Sequence, residues 1–412
     1  MASPGRRHDL VLFGATGFTG RLVAEHLARH AAGTSLAWAL AGRNVGKLEK
    51  VRAELAAIDA ACAELPLVEA DAMDREAMAR VAADTRVVCT TVGPYAMYGE
   101  ALVDACARAG THYCDLTGEV PFIRGSIDRN HEEAKRTGAR IVHCCGFDSI
   151  PSDLGTLFLQ HELVARTGAP ARAVTALFGE SSGKLSGGTV ASMLGIIDTA
   201  AKDKAVRRLL GDPHGLDPAG GPRSAARDAR GPGWDRVLGK PTAPFVMSAI
   251  NSRIVRRSHA LLGYPWGDDF LYDERMSLPR SPIGVAAAVA ITGALAGFVV
   301  ASQVRALRKL IEKRVPQPGE GPSAEERARG HYIVRLHAES SGLRLVAQVS
   351  DQLDPGYAGT ARLLGEAARC LAEDDLTSPG GVLTPAVAMG MTLIDRLVAA
   401  GVTFDISEGT RS

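Results

Sequence analysis

Three glycines near the start of the chain have the spacing of a phosphate-binding turn. The segment consists of Gly14, Ala15, Thr16, Gly17, Phe18, Thr19 and Gly20. Glycine permits a tight turn, close approach of the backbone to a pyrophosphate and close packing of a helix on a strand. The free N–H groups of the first helical turn then attract phosphate oxygens. The pattern predicts a dinucleotide site, although a purely structural loop can carry the same glycines.

The residues after the second apolar run indicate which nucleotide is bound. An NAD site usually has Asp or Glu there, about 20 residues beyond the glycines, to hold the ribose hydroxyls. This chain has Arg43 and Asn44 instead, and Lys47 one helical turn later. A guanidinium binds a 2′-phosphate through two hydrogen bonds, whereas a solvated loop arginine is the alternative. We therefore predict NADPH rather than NADH.

Two further segments follow apolar runs and are expected at the same edge of a parallel sheet, where ligands of open α/β sheets bind. Asp71 follows the third run and would contact adenine or cap a helix. The fourth run is followed by Thr91, Val92, Gly93, Pro94 and Tyr95. We expect this turn near the nicotinamide ribose.

Three side chains are candidates for catalysis because they follow strand ends near the expected cofactor. They are Tyr95, Asp148 and Ser149. Tyr95 would donate a proton or a hydrogen bond, with a packing role as the alternative. Asp148 would donate a proton only if burial kept its carboxyl protonated.

The elements that must position these residues are visible as a repeating pattern over the first 150 residues. Short apolar runs end near Phe13, Ala41, Val68, Thr90 and Cys145. Stretches with helical spacing of apolar residues separate them. This alternation indicates βαβ units, and therefore a Rossmann-type, doubly wound parallel sheet.

Beyond residue 150 fewer sequence patterns predict secondary structure. Residues 211–233 are rich in turn formers, which predicts an exposed loop or lid. Alternating runs on either side of Ser341 and Gly342 predict a β-hairpin. Residues 384–400 have the pattern of one amphipathic helix, with Pro385 in its first turn and Gly401 at its end.

Composition and charge exclude several classes of protein. Hydrophobic residues make up 46% of the 412 residues and charged residues 23%, which is typical of folded domains rather than disorder. The formal net charge of +1 argues against a nucleic-acid-binding protein.

The seven cysteines include no C-x-x-C pair and no secretory signal precedes them, so we expect reduced thiols and a cytoplasmic protein. The histidine and cysteine residues lack the paired spacing of a structural zinc site, and we predict no metal.

An uncharged segment covers residues 281–304. The basic residues that follow it are Arg305, Arg308, Lys309, Lys313 and Arg314. About 20 apolar residues can cross a bilayer core, but much of this segment is alanine and glycine. Three possibilities stay open: peripheral contact with the cytoplasmic membrane, a buried or interface helix, and a true span.

Several motifs along nearly the whole chain resemble one enzyme family. The motifs are GATGFTG, AGRN, TTVGPYAMYGEALVDACARAGTHYCDLTGE, CCGFDSIPSDLG, GGTVAS, GYAGTARLLGEAA and GGVLTPAVAMG. Together they resemble the saccharopine dehydrogenase-like oxidoreductases, and within that family the mycobacterial trans-acting enoyl reductases. The resemblance implies an NADPH-binding Rossmann domain over 1–150, a second α/β substrate domain over 151–380, and a C-terminal helix within 381–412 that returns to the first domain.

The same resemblance implies a reaction. It is the NADPH-dependent reduction of a C=C bond in an acyl or polyketide thioester of lipid biosynthesis, with the substrate on a polyketide synthase carrier domain as one option. Two alternatives stay open: a saccharopine-type amino- or keto-acid dehydrogenase, and an NADPH-binding lipid-surface protein without catalysis. The arginine set that would bind an amino-acid carboxylate cannot be located in the sequence, which argues against the first alternative.

Overall fold

The structure is a computed structural model that describes residues 5–182, 187–304, 307–308 and 321–409. For Glu180 it describes the backbone but not the side chain. The strands in these ranges form two seven-stranded sheets. The strands are β1 (His8–Phe13), β2 (Trp38–Gly42), β3 (Leu67–Glu69), β4 (Thr85–Thr90), β5 (His112–Cys114), β6 (Arg140–Val142), β7 (Ala173–Ser182), β8 (Gly233–Asp235), β9 (Lys240–Pro244), β10 (Leu271–Ser277), β11 (His331–Ser340), β12 (Leu343–Asp351), β13 (Gly381–Leu383) and β14 (Thr403–Glu408).

Helices cover both sheets. They are α1 (Phe18–His30), α2 (Val45–Ala56), α3 (Arg75–Asp84), α4 (Tyr95–Tyr98), α5 (Glu100–Ala109), α6 (Val120–Thr137), α7 (Ile150–Thr167), α8 (Gly187–Lys202), α9 (Lys204–Gly211), α10 (Ser248–Leu261), α11 (Pro282–Gln303), α12 (Ala324–Ala328), α13 (Thr360–Glu373), α14 (Pro385–Ala388) and α15 (Gly390–Ala399). Two shorter helical turns span Ala60–Glu64 and Pro355–Gly359.

The first sheet is parallel, in the order β13-β6-β5-β4-β1-β2-β3, and has the predicted Rossmann topology. Its central strands are buried on both faces, and Leu10 and Leu12 are fully inaccessible to solvent. Parallel strands covered by helices need such continuous apolar runs. Because β1 pairs with both β2 and β4, the segments after these three strands meet at one edge. The predicted fold class is confirmed.

The second sheet is mixed, in the order β14-β12-β11-β7-β10-β9-β8. β10 pairs with β7 in parallel, and the other neighbours are antiparallel. β11 and β12 form the predicted hairpin, with Ser340 opposite Leu343 and positive φ angles at Ser341 (50°) and Gly342 (80°). Left-handed residues at both central positions match the twist of the flanking strands.

The end of the chain contributes to both sheets, unlike the predicted single helix. β13 joins the first sheet beside β6, and β14 joins the second sheet beside β12. The prediction of one helix over residues 384–400 is wrong in its middle, because the segment forms two helices, α14 and α15, which are separated at Met389 and Gly390. Gly390 has a φ angle of 52°, which a continuous α-helix does not allow. α15 packs on α13, which covers the first sheet. β13, α13 and α15 thus lie with the first sheet, whereas the domain boundaries stay predictions.

The segment over residues 211–233 is a loop, as its composition predicts, but parts of it are held against the protein. Leu216 is fully buried. From α10, Arg253 donates to the Asp228 carboxylate (3.2 Å) and Arg256 donates to the Pro213 carbonyl (3.1 Å). The turn-rich composition gave no sign of these contacts, because the arginines that hold the loop lie more than 20 positions away in the sequence. The predicted loop is therefore present and anchored to α10, while its role as a lid stays a prediction.

The uncharged segment forms α11, with a mean hydropathy of 2.3 over its most apolar window. In the part of the chain that the structure describes, this helix alone is long and apolar enough to cross a membrane, by length and composition only. Only 11% of that window is buried. The possibility of a helix buried within this chain is therefore wrong.

Candidate active site

A cleft of about 310 Å³ opens beyond the carboxyl ends of β1 and β4. Eight predicted site residues of the first sheet line it: Gly17, Phe18, Thr19, Gly20, Thr91, Gly93, Pro94 and Tyr95. Asp148 lines it as well. The rest of the lining comes from residues that sequence analysis did not select as site residues. After β5 they are Leu116, Thr117 and Gly118, and on the opposite wall they are Gly187, Gly188, Thr189, Ala191, Ser192, Met193, Ile196, Met247 and Tyr357.

The three glycines of the turn have different roles. A Cβ on Gly14, where φ is 94°, would lie 2.7 Å from Val92 Cγ2, and a Cβ on Gly20 would lie 2.1 Å from the Gly14 carbonyl oxygen. Both glycines are therefore required for packing. At Gly17 the nearest atom to such a Cβ is 3.4 Å away. Gly17 is exposed at the N-cap of α1, so its surroundings leave room for a phosphate beside free N–H groups.

The residues after β2 lie outside the cleft lining but at the same sheet edge. Arg43 is exposed, and it forms no ion pair with any residue in the described ranges. Asn44 caps α2, since its side-chain oxygen accepts a hydrogen bond from the Lys47 N–H (2.9 Å). This arrangement presents a guanidinium and an ammonium beside the turn, without a carboxylate at the strand end to repel a 2′-phosphate. Of the three predicted cofactor residues after β2, only the Asn44 side chain is occupied by a structural role, the capping of α2.

Four other predicted cofactor residues lie away from the cleft surface. Ala15 is fully buried, Thr16 is half-buried and faces Gly42, and Val92 packs against Gly14. Asp71 accepts a hydrogen bond from the Met73 N–H (2.9 Å), and its predicted alternative role as a helix cap is wrong, because Asp74 caps α3. Their proposed contacts with cofactor stay predictions.

Tyr95 is buried, and its hydroxyl donates to the Thr90 carbonyl (3.1 Å). Burial raises the pKa of this hydroxyl, so it stays protonated. A hydroxyl that is already engaged with the sheet backbone is a poor proton donor to a substrate. The packing role is the better interpretation of Tyr95.

Glu119 was missed by sequence analysis. It is buried, and its carboxylate accepts hydrogen bonds from the N–H groups of Tyr95 and Ala96 (both 2.9 Å). The Ser192 hydroxyl of α8 donates to the same carboxylate (2.8 Å). Glu119 therefore connects the turn after β4 to the opposite wall. Its only sequence signal was its place in one of the motifs that carry the family resemblance.

Asp148 and Ser149 are separated by the structure although they are adjacent in sequence. Asp148 is half-buried in the cleft, and burial raises the pKa of its carboxyl to about 6. Ser149 is fully buried, and its hydroxyl donates to Asn251 Oδ1 (2.9 Å). Only Asp148 is presented to a ligand. Ser149 helps to hold α7 against α10.

Tyr357 is a second possible hydrogen-bond donor in the cleft, besides Asp148, and sequence analysis did not select it. It lines the cleft, and its ring packs edge-on against Phe18 with the centroids 4.9 Å apart. The Gly187 N–H donates to its hydroxyl oxygen, while burial raises the pKa of the hydroxyl. The hydroxyl is thus protonated and has a proton to donate.

A buried network supports the cleft floor. Asp115 Oδ2 lies 2.7 Å from His143 Nδ1, and Asp115 Oδ1 accepts from the Thr117 N–H (3.1 Å). His143 Nε2 lies 2.9 Å from the Ser126 hydroxyl. All four residues are at most 1% exposed, so this Asp–His–Ser arrangement cannot reach a substrate. It fixes the Leu116–Gly118 strip instead.

The cleft is apolar on its second-domain side. Met193, Ile196 and Met247 contribute apolar side chains there, and Leu116 adds another from the first domain. Among the described residues that line it, Asp148 carries the one carboxyl group, and none is a lysine or an arginine.

Comparison with known proteins identifies the family. Residues 10–142 match the sequence model of the saccharopine dehydrogenase NADP binding domain. A trans-acting enoyl reductase of Mycobacterium ulcerans is 42% identical over 420 residues, with 98% of each chain covered. Another of Mycobacterium tuberculosis is 42% identical over 416 residues, again with 98% of each covered.

The chain belongs to the saccharopine dehydrogenase-like family, in the group of the trans-acting enoyl reductases. It is an NADPH-dependent oxidoreductase, and the prediction of this cofactor and of the family is confirmed. Among solved structures, a saccharopine dehydrogenase (L-Glu forming) of Saccharomyces cerevisiae has a TM-score of 0.53 at 13% identity, with 97% of this chain and 99% of that chain covered. That likeness shows the shared fold.

The residues present fit NADPH. Gly17 leaves space at the start of α1, the first helical turn offers N–H groups, and Arg43 with Lys47 supplies positive charge after β2. The roles of individual residues in binding stay predictions.

Proposed function

We propose that this protein reduces the C=C bond of an enoyl thioester in lipid biosynthesis. The observation that supports this proposal is the apolar, cation-free lining of the cleft on its second-domain side. An acyl chain suits such a surface, whereas an amino or keto acid needs a cation to bind its carboxylate. The saccharopine-type alternative therefore has no support among the described lining residues. The names of the relatives support the enoyl thioester independently.

Two side chains are suited to the proton chemistry of this reaction. Hydride addition to the β-carbon is the chemistry that bound NADPH supplies. The negative charge that develops on the thioester oxygen needs a donor, and the protonated hydroxyl of Tyr357 is available for it. The α-carbon then needs a proton. Asp148 can hold that proton at a pH near 6, since burial raises its pKa to about 6.

The proposed partner is a carrier that presents the acyl group, such as a polyketide synthase carrier domain, and the proposed location is the cytoplasm. The seven cysteines support the location, because all are free and buried as thiols. A long pantetheine arm would let a carrier-bound thioester reach into the cleft. A carrier domain would be an additional contact outside that cleft.

The test is the oxidation of NADPH, followed at its nicotinamide absorbance. The protein is mixed with short and long enoyl thioesters, and in parallel with keto acids plus amino acids. We expect NADPH oxidation with the thioesters and a product that has gained two hydrogens. Oxidation with the keto and amino acids alone would contradict the proposal in favour of a saccharopine-type reaction. Cofactor binding without oxidation by any substrate would favour a non-catalytic protein.

A further inference from the structure

α11 exposes a long apolar face. Residues on one side of the helix are buried or half-buried, at a spacing of three and four positions: Gly284, Ala288, Ile291, Leu295, Phe298 and Ser302. On the other side Ile283 is 82% exposed, Val289 58% and Val300 64%. No charged residue occurs from Ser281 to Val304. A soluble monomer rarely leaves so continuous an apolar surface uncovered.

An exposed tryptophan lies beside this face. Trp234 of β8 is 52% exposed and is the cross-strand partner of Pro241 in β9. Cross-strand partners point to the same side of a sheet. A Cβ on Gly284 of α11 would lie 3.3 Å from Pro241 Cγ, so α11 packs on that same side. Tryptophan prefers the boundary between lipid and water.

Positive charge adjoins both ends of the helix in the sequence. Arg280 precedes it, and residues 305–314 contain five basic residues and one acidic residue. Arg308 also pairs with Asp198, which connects the basic end of α11 to α8. Most of this flank lies outside the described residues. A cationic flank next to an apolar helix is complementary to anionic lipid headgroups.

We propose that the exposed face of α11 and Trp234 form a docking surface for an anionic bilayer, with α11 lying in the membrane plane. The contact stripe on α11 extends from Gly284 to Ser302 and faces β9 and α8. A helix that spanned the bilayer would draw these packed elements, including the charged side chains of α8, into the hydrocarbon. In-plane binding buries only the uncharged face.

This surface lies one helix layer from the active site. α11 packs on α8, and α8 lines the cleft from Gly187 to Ile196. Packed helices are about 8–10 Å apart. Membrane docking therefore places the apolar wall of the cleft near the lipid surface, where long acyl chains are concentrated. The docking itself does not depend on the proposed reaction.

The test is co-sedimentation of the full chain with vesicles of phosphatidylcholine alone and with phosphatidylglycerol added. The variant Val289→Glu with Val300→Glu places two carboxylates on the exposed face. The matched control Val164→Glu with Val398→Glu makes the same substitution at valines that are 44% and 49% exposed on α7 and α15. Far-UV circular dichroism compares the folding of all three proteins.

We expect the wild type to bind the anionic vesicles, to bind less in high salt, and to be extracted by carbonate. Binding by the α11 variant should fall about tenfold or more, because glutamate is costly to place among acyl chains, and the control should bind like the wild type. Equal binding by both double variants would overturn the proposal. So would resistance of the wild type to carbonate, which indicates a span.

A measurement on the wild type alone makes the test independent of variant folding. Trp38 and Trp266 are buried (7% and 4% exposed), so a change in tryptophan emission on adding vesicles reports on Trp234. We expect a blue shift and quenching by brominated lipids. No spectral change and no sedimentation would overturn the proposal. A wild-type dimer that the α11 variant converts to a monomer, without vesicle binding, would assign the surface to a second copy of the chain instead.

Discussion

At the residue scale, Gly17 is the position in the turn where a side chain would obstruct a phosphate and little else. Gly14 and Gly20 cannot test the binding site, because a Cβ on either would clash with backbone or neighbouring side chains. Replacing Gly17 with valine should abolish NADPH binding and leave the fold intact. Gly211→Val is a matched control, since nothing lies within 4 Å of its Cβ position. Calorimetric titration and thermal unfolding would check both; normal NADPH affinity in Gly17→Val would refute the placement of the pyrophosphate.

Arg43 should determine the choice between the two nicotinamide cofactors. It is exposed beside the turn, with no ion-pair partner among the residues that the structure covers. Arg43→Ala should weaken NADPH binding by about 1.5–3 kcal/mol, the range of a charged hydrogen bond, and leave NADH binding nearly unchanged. Titration of both cofactors is the measurement. Equal losses for NADPH and NADH would mean that Arg43 does not contact the 2′-phosphate.

Asp148 should impose a pH dependence on the reaction. Its pKa is raised to about 6 by burial, and its acid form is the one that donates a proton. The protonated fraction falls as the pH rises through 6, so log kcat/KM should decline with a slope near −1 above that value. Asp148→Asn should lower kcat by about 10²-fold or more and should abolish the decline of kcat/KM above pH 6. A pH profile that is unchanged in Asp148→Asn would exclude this acid.

At the element scale, Glu119 joins the turn after β4 to α8 through three accepted hydrogen bonds. Ser192→Ala removes only the bond to α8. We expect a higher KM for the thioester and an unchanged NADPH affinity, because α8 forms the substrate-side wall. Glu119→Gln also weakens the two backbone bonds, and it should lower the free energy of unfolding by about 1–3 kcal/mol. Urea unfolding measures the stability of Glu119→Gln, and steady-state kinetics measures the KM values of Ser192→Ala. If Ser192→Ala lost NADPH affinity as much as it raised the thioester KM, α8 would not be a wall for the substrate alone.

The sequence predicts the elements with strong periodicity and not the short or distant ones. β1, β2 and β4 are apolar runs bounded by turn residues, so their positions were visible. β13 has only three residues, too few to show a period, and its place beside β6 depends on a contact across more than 200 positions. The break in the C-terminal helix depends on the left-handed backbone of Gly390, and glycine inside a helical pattern does not by itself indicate a break.

At the scale of the whole molecule, the cofactor half of the site was predictable and the substrate half was not. The turn after β1 and the turn after β4 each lie at a strand end, where fold rules place a ligand. Tyr357 and the α8 residues reach the same cleft from beyond the first 150 residues, outside the region of the repeating βαβ pattern. Some of them lie in motifs that carry the family resemblance, but no local pattern marks them as site residues, because they meet the cofactor side only through tertiary packing. Glu119 was missed for the same reason, since its partners are distant backbone and α8 groups.

The proposed reaction transfers a hydride from NADPH to the β-carbon of an enoyl thioester. The most direct measurement uses NADPH deuterated at nicotinamide C4, on each face in turn, with mass spectrometry and NMR of the acyl product. We expect one deuterium at the β-carbon from one of the two labelled cofactors, and a solvent-derived proton at the α-carbon. A protein that binds NADPH normally but yields no deuterated acyl product from either label would contradict the claim.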